Sequence, residues 1–196
     1  MAEATAVKLA VALRVGEFRA LWAAETISVA GDQLARVALA LLVYDRTSSA
    51  LLTGLTYALT FLPAFLGGLF LAGLADRFPR RTIIVTTDIL RACLAAAMAI
   101  PGLPLGVLWV LVAVLTFAFA PYKAAQQALI PQILVGKDQY VAGTSLRQIS
   151  NQVAQFVAFA AGGVLVTVIT AQGALLLDAA TFVISVVLVS RWVRPR

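Results

Sequence analysis

Residues 51–75 carry no charged side chain at all, and then four charges fall within six residues: Asp76, Arg77, Arg80 and Arg81. Beyond that turn, residues 82–100 carry only Asp88 and Arg91. A helix that spans a bilayer needs roughly 20 mostly apolar residues, and each of these runs is about that long. Two such runs joined by a short, densely charged turn form a helical hairpin with its turn in water. No other feature restricts the fold as strongly.

The remaining hydropathy follows the same pattern. Six apolar segments, 20–43, 51–74, 82–100, 105–130, 139–168 and 173–190, meet the length criterion. The first is the least apolar because Glu25, Asp32 and Arg36 lie within it. Only 12% of the residues are charged, against roughly 25% in a soluble domain. The expectation is an all-α membrane protein with six transmembrane helices over 20–190. Residues 1–19 form an N-terminal segment and 191–196 a C-terminal end. Connections this short leave no room for a second, soluble domain.

The net charge of +6 does not point to nucleic acid, because lipid-length apolar runs separate the basic residues and no basic face can form. With no His and only Cys93, neither an internal disulfide framework nor a metal centre is expected. The apolar piece at 9–13 is too short for a cleavable leader and is broken by Arg14. Lys and Arg near the segment ends set the orientation. Ten (Lys8, Arg14, Arg19, Arg77, Arg80, Arg81, Lys137, Arg191, Arg194 and Arg196) fall on one side, and only Arg46 on the other. Both termini are therefore expected in the cytoplasm of a multi-pass plasma-membrane protein.

Pro63, followed by Gly67 and Gly68, is expected to kink the second span, Pro121 to kink the fourth and Pro131 to end it. Gly67, Gly68, Gly162 and Gly163 permit close helix approach, with ordinary tight packing as the main reading.

The turn Gly73-Leu74-Ala75-Asp76-Arg77-Phe78-Pro79-Arg80-Arg81 resembles the loop between the second and third helices of the major facilitator superfamily, G-x-L-A-D-R-x-G-R-R. Leu74, Ala75, Asp76, Arg77, Arg80 and Arg81 match it. Ala72 stands where the first glycine is expected, and Pro79 replaces the second. Phe18-Arg19-x-Leu21-Trp22, Ser28-x-x-Gly31-Asp32, Tyr44-Asp45-Arg46-Thr47-x-Ser49, Pro63, Ala128-x-Ile130-Pro131 and Asp178-Ala179-x-Thr181-Phe182 look like the drug- and siderophore-efflux branch, that of the enterobactin exporters. The resemblance implies the N-terminal six-helix half of a twelve-helix transporter, a bundle made of two inverted three-helix repeats. It covers the first half of the family pattern and reaches Arg194-Pro195-Arg196, where a central linker is expected to begin. A second half, as another copy or a separate chain, is then the implied partner. In the family the loop Asp is a contact to that second half, so Asp76, Arg77, Arg80 and Arg81 read either as a conformational latch or as plain orientation signals.

Ionisable groups at mid-depth cost roughly 2.5–3.5 kcal/mol each on insertion scales, so they need partners or a watery cavity. Glu25, Ser28, Asp32 and Arg36 share one helical face. Asp32, with Glu25 beside it, is a candidate proton-coupling carboxylate, and a structural Asp32–Arg36 pair is the competing reading. Asp88 and Arg91, three residues apart, favour a structural pair. The inner end of the fourth span carries Lys123, Gln126 and Gln127. The fifth span carries Thr144, Arg147, Gln148, Asn151, Gln152 and Gln155 at helical spacing, either lining a cavity or bonding other helices. Asp178 is expected near the outer end of the sixth span in a capping or structural role. Arg36, Asp88, Arg91, Gln126, Arg147, Asn151 and Gln155 are thus the candidate cavity and substrate residues.

No phosphate-binding glycine loop and no nucleophile–base set is present, so neither an enzyme nor a cofactor is expected. The reading is a proton-coupled secondary transporter half that exports a small amphipathic molecule by alternating access. The alternative is a non-transporting fragment or an assembly subunit of a split transporter.

Overall fold

The structure is a computed structural model that describes residues 12–71 and 77–195. Lys8 and the part of the charged turn from Ala72 to Asp76 lie outside the described residues. The described chain forms six helices: α1 (Gly16–Thr47), α2 (Ala50–Leu59), α3 (Leu62–Leu71), α4 (Arg80–Met98), α5 (Leu105–Ile133) and α6 (Lys137–Trp192).

The helices map onto the expected spans with informative differences. α1 runs about four residues further at each end than hydropathy indicates, because polar residues at a membrane surface remain helical when a tertiary face holds them. It stops where Ser48 turns left-handed, at φ 50, and donates its N–H to the Tyr44 carbonyl at 2.7 Å. Ser49 then caps α2 by accepting from the Leu52 N–H at 3.3 Å. The second span is two helices, α2 and α3, separated at Thr60 and Phe61. Pro63 lacks the N–H that would bond the Leu59 carbonyl, and its ring crowds that turn. The Thr60 and Phe61 N–H groups instead reach back three residues, to Tyr57 and Ala58.

Pro131 does not end the fourth span as expected. α5 continues through it to Ile133, since a single missing hydrogen bond near a helix end is a small loss. The fifth and sixth spans form one helix in hydrogen bonding, broken at Thr170, whose φ 64 and ψ 162 are not helical. Its hydroxyl accepts from the Gly173 N–H at 3.2 Å and so starts the second limb.

Among the described residues, five stretches are long and apolar enough to cross a membrane: Gly16–Thr47, Ala50–Phe70, Leu105–Ile133, Lys137–Val166 and Val168–Trp192. α4 does not reach that standard by composition, because Arg80, Arg81, Asp88 and Arg91 fall within its 19 residues. It is nevertheless central to the packing, lying against both α5 and α6, while α1 lies along α6 and α3 along α5.

The core has two apolar storeys. One gathers Phe18, Leu21, Ile84, Leu129, Ile130 and Val189, and the other Leu39, Val43, Met98, Leu108, Leu175 and Phe182. Arg194 approaches Glu17 at 3.5 Å, and Arg81 donates to the Ser190 carbonyl. These contacts gather the starts of α1 and α4 and the end of α6 at one arginine-rich end. At the opposite end, Arg46 ties the α1–α2 turn to the Leu103 carbonyl at 2.8 Å.

Two neighbouring glycines have different surroundings. A Cβ at Gly67 would lie 2.6 Å from the Phe117 carbonyl oxygen of α5, whereas one at Gly68 meets nothing. Gly162 packs on Val37 and Gly163 faces open space. Gly67→Ala should therefore lower stability in detergent by about 1–3 kcal/mol through overpacking. Gly68→Ala should be neutral or stabilising by up to about 1 kcal/mol through helix propensity. Thermal unfolding of the two variants side by side checks this.

Candidate functional site

Between the two apolar storeys lies a polar one. α1 supplies Glu25 and Asp32 to it, seven residues apart and so on one face. α4 supplies Asp88 and Arg91, α5 supplies Gln126, and α6 supplies Arg147 and Asn151 from its first limb and Asp178 and Ser185 from its second.

Glu25 is held from across the bundle. Arg147 meets both its carboxylate oxygens, Nε at 2.5 Å and Nη2 at 2.7 Å, and Asn151 Nδ2 donates to it at 2.9 Å. Arg147 also donates to the Gln126 side-chain oxygen at 2.9 Å. Four of the residues singled out in sequence thus form one network. A bidentate guanidinium–carboxylate pair is among the stronger charge-assisted arrangements, and here both partners are largely withdrawn from solvent.

Asp32 is paired too, but not with its helical neighbour. Arg91 Nη2 donates to both Asp32 oxygens at 2.8 Å. Arg36 instead lies over the Phe61 ring, 4.6 Å from its centroid, with a 3.4 Å hydrogen bond to Gln33; the Asp32–Arg36 pair is not formed. The expected Asp88–Arg91 approach is present at 3.6 Å, but it is the weaker of the two contacts Arg91 makes. Asp88 is fully buried and accepts from the Ser185 hydroxyl at 2.6 Å. Arg91, 1% exposed, is set among Phe182, Phe119 and Tyr122, with centroids at 4.1, 5.2 and 5.6 Å. Cation–π contacts of this kind contribute about 0.5–2 kcal/mol each.

Two cavities open beside this layer. One, of about 130 Å³, is mostly apolar and takes α1 from Asp32 to Leu39 and α5 from Val112 to Phe119. The other, of about 110 Å³, is more polar and takes α1 from Glu25 to Asp32 and α5 from Phe119 to Gln126. They are stacked along the bundle, and Asp32, Arg91 and Phe119 line both. The Asp32–Arg91 pair is therefore part of their common wall. Gln155 and Lys123 open onto the polar cavity, while Gln148 and Gln152 are exposed and line a separate open groove with Ser145 and Ile149.

Asp178 is not where sequence reasoning put it. It is 1% exposed, borders the apolar cavity and lies against Gly31, where a Cβ would come within 2.6 Å of its Oδ1. The run Asp178-Ala179-x-Thr181-Phe182 was a signal in sequence, but its depth depends on how α6 is rotated against α1. In the charged turn, Asp76 lies outside the described residues, Arg77 is exposed and Arg80 partly so, and Arg81 makes the Ser190 contact. Among the described residues no three His, Cys, Asp or Glu side chains come together as a metal-binding group.

Removing one partner of a buried pair leaves an uncompensated charge. Arg147→Met should destabilise the fold by about 3–5 kcal/mol, and Glu25→Gln added to it should restore most of that loss. Denaturation of single and double variants in detergent checks this. Equal losses would mean that packing of the Arg147 stem, not its charge, is what matters.

A family model described as Major Facilitator Superfamily matches residues 21–196. Comparison with curated proteins and with solved structures finds no match.

Proposed function

The chain belongs to the major facilitator superfamily, and from that premise we propose that it is one half of a proton-coupled secondary transporter that exports a small amphipathic molecule. As a member of a transporter family with several membrane-length apolar helices, it is a multi-pass membrane protein. In this reading α4 is the remaining span despite its charges, giving six spans as two inverted three-span repeats. The arginine-rich end faces the cytoplasm, as the Lys and Arg asymmetry favours.

The observation that carries the reading is the Asp32–Arg91 pair at mid-bundle, shared by two stacked cavities. Ion pairs at this depth are costly to bury and mark substrate or proton paths. Asp32 and Glu25 are the proton-coupling carboxylates of this reading; Arg36, Arg91, Gln126, Asn151 and Gln155 give the cavities their polarity, with Asp88 and Arg147 behind them. The apolar lining of the larger cavity suits a lipophilic body with a polar or charged end.

A second half is part of the proposal. Gln148 and Gln152 are exposed on a membrane-length helix, and such a face needs a polar partner or water, not lipid. Export rather than import, like the drug- and siderophore-efflux branch, rests on the resemblance of the sequence motifs. A homodimer or a paired chain then forms the pathway between halves, which rock about it, with Asp76, Arg77, Arg80 and Arg81 as the latch.

The test is transport by the assembled protein in proteoliposomes with an imposed pH gradient, read with an amphipathic fluorescent cation, alongside its oligomeric state by native mass spectrometry. The expected result is gradient-driven flux by a complex of two halves, abolished in Asp32→Asn while membrane insertion is unchanged. Flux that ignores the gradient, in wild type and variant alike, would remove proton coupling.

A further inference from the structure

We propose that Asp178 is the proton-binding carboxyl of this half, and that its deprotonation gives Arg91 a third anionic partner and so opens the Asp32–Arg91 wall between the two cavities. The inference rests on the proton-coupled reading above and assigns the proton to a residue that reading does not use.

The charge balance around the apolar cavity leads to it. α1 presents Asp32 and Arg36 and α4 presents Arg91, with Asp88 directly behind it; α6 presents Asp178 with the hydroxyls of Thr181 and Ser185. From α5 come only Val112, Leu115, Thr116 and Phe119, and from the α2–α3 junction Thr60, Phe61 and Ala64. Lys123 opens onto the other cavity, and Glu25 and Arg147 neutralise each other. Two guanidiniums therefore face three carboxyls, and the group is neutral only when one carboxyl holds a proton.

Geometry selects which one. Asp32 takes both of its bonds from Arg91 Nη2. Asp88 accepts from Ser185 and stands 3.6 Å from Arg91 Nη1. Among the described residues, Asp178 makes no ion pair; its carboxyl meets only Thr181 of its own turn, at 3.5 Å. A carboxylate buried without a cation costs several kcal/mol, and a proton removes that cost. Arg91 is ready for another acceptor, since its Nε and Nη1 have no hydrogen-bond partner although the side chain is buried.

In the step, the Asp178 O–H bond breaks, the proton passes to cavity water as hydronium, and the electron pair stays on the carboxylate. Arg91 then divides its donors between Asp178 and Asp32. Reprotonation from water reverses it.

The test is infrared difference spectroscopy of the full chain in lipid nanodiscs, titrated between acidic and alkaline pH and read at the carbonyl stretch of a protonated carboxylic acid. The expected result is one titrating band, lost in Asp178→Asn and retained in Asp32→Asn and Glu25→Gln. A band that survives in Asp178→Asn and vanishes in either of the others overturns the assignment while leaving proton coupling intact. No titrating band in the wild type overturns both. Should Asp178→Asn not fold, Thr181→Val decides, because it removes the one hydroxyl near the carboxyl. A shifted band frequency supports Asp178, and an unmoved band overturns it.

Discussion

Arg91 is a permanent cation in the middle of a bundle built to lie in hydrocarbon, and most of the polar layer is arranged around that charge. A guanidinium there must find anions and polarisable surface within reach. It has Asp32 from α1 at 2.8 Å, Asp88 from its own helix at 3.6 Å and three aromatic rings from α5 and α6. These partners come from four helices, so α4, the least apolar of the long helices, is held by electrostatics as much as by hydrophobic contact. Ser185 completes the arrangement by occupying the Asp88 oxygen that Arg91 does not approach.

The layered core follows from that constraint. Apolar residues fill both ends of the bundle, and the charged groups collect between them, where they can satisfy one another. The second network, Glu25 with Arg147, Gln126 and Asn151, repeats the solution about two helical turns closer to the arginine-rich end. Close backbone approach makes such short cross-helix contacts possible. Gly31 lets Asp178 and Thr181 come up against α1, and Gly162 lets the first limb of α6 reach Val37.

A wall made from an ion pair differs from one made of packed aliphatic side chains. Its partners can be exchanged for others of the same charge, and the cost of exchange depends on the protonation of whatever carboxyl stands nearby. For the proposed transporter, this is a means by which a proton could move a barrier without unfolding a helix. With Gln148 and Gln152 exposed on the same limb as Arg147 and Asn151, the polar stripe of α6 faces two directions: part turns inward to Glu25, and part is exposed.

The sequence by itself determined that the chain is helical and membrane-spanning, where most of its turns fall, and which residues are too polar to face lipid. Those properties follow from composition and from local periodicity. It also indicated that Glu25, Arg147, Gln126 and Asn151 belong inside. It missed the partners. Spacing along a helix suggests Arg36 for Asp32, yet the bond goes to Arg91, 59 residues away. The Pro63 break and the continuation through Pro131 depended on which hydrogen bonds the neighbourhood could spare. Asp178 read as peripheral because its depth is set by helix rotation and by Gly31, neither of which appears in a hydropathy profile. Which charges meet was decided only by tertiary packing, because cross-helix distances depend on how whole helices are rotated and seated against one another.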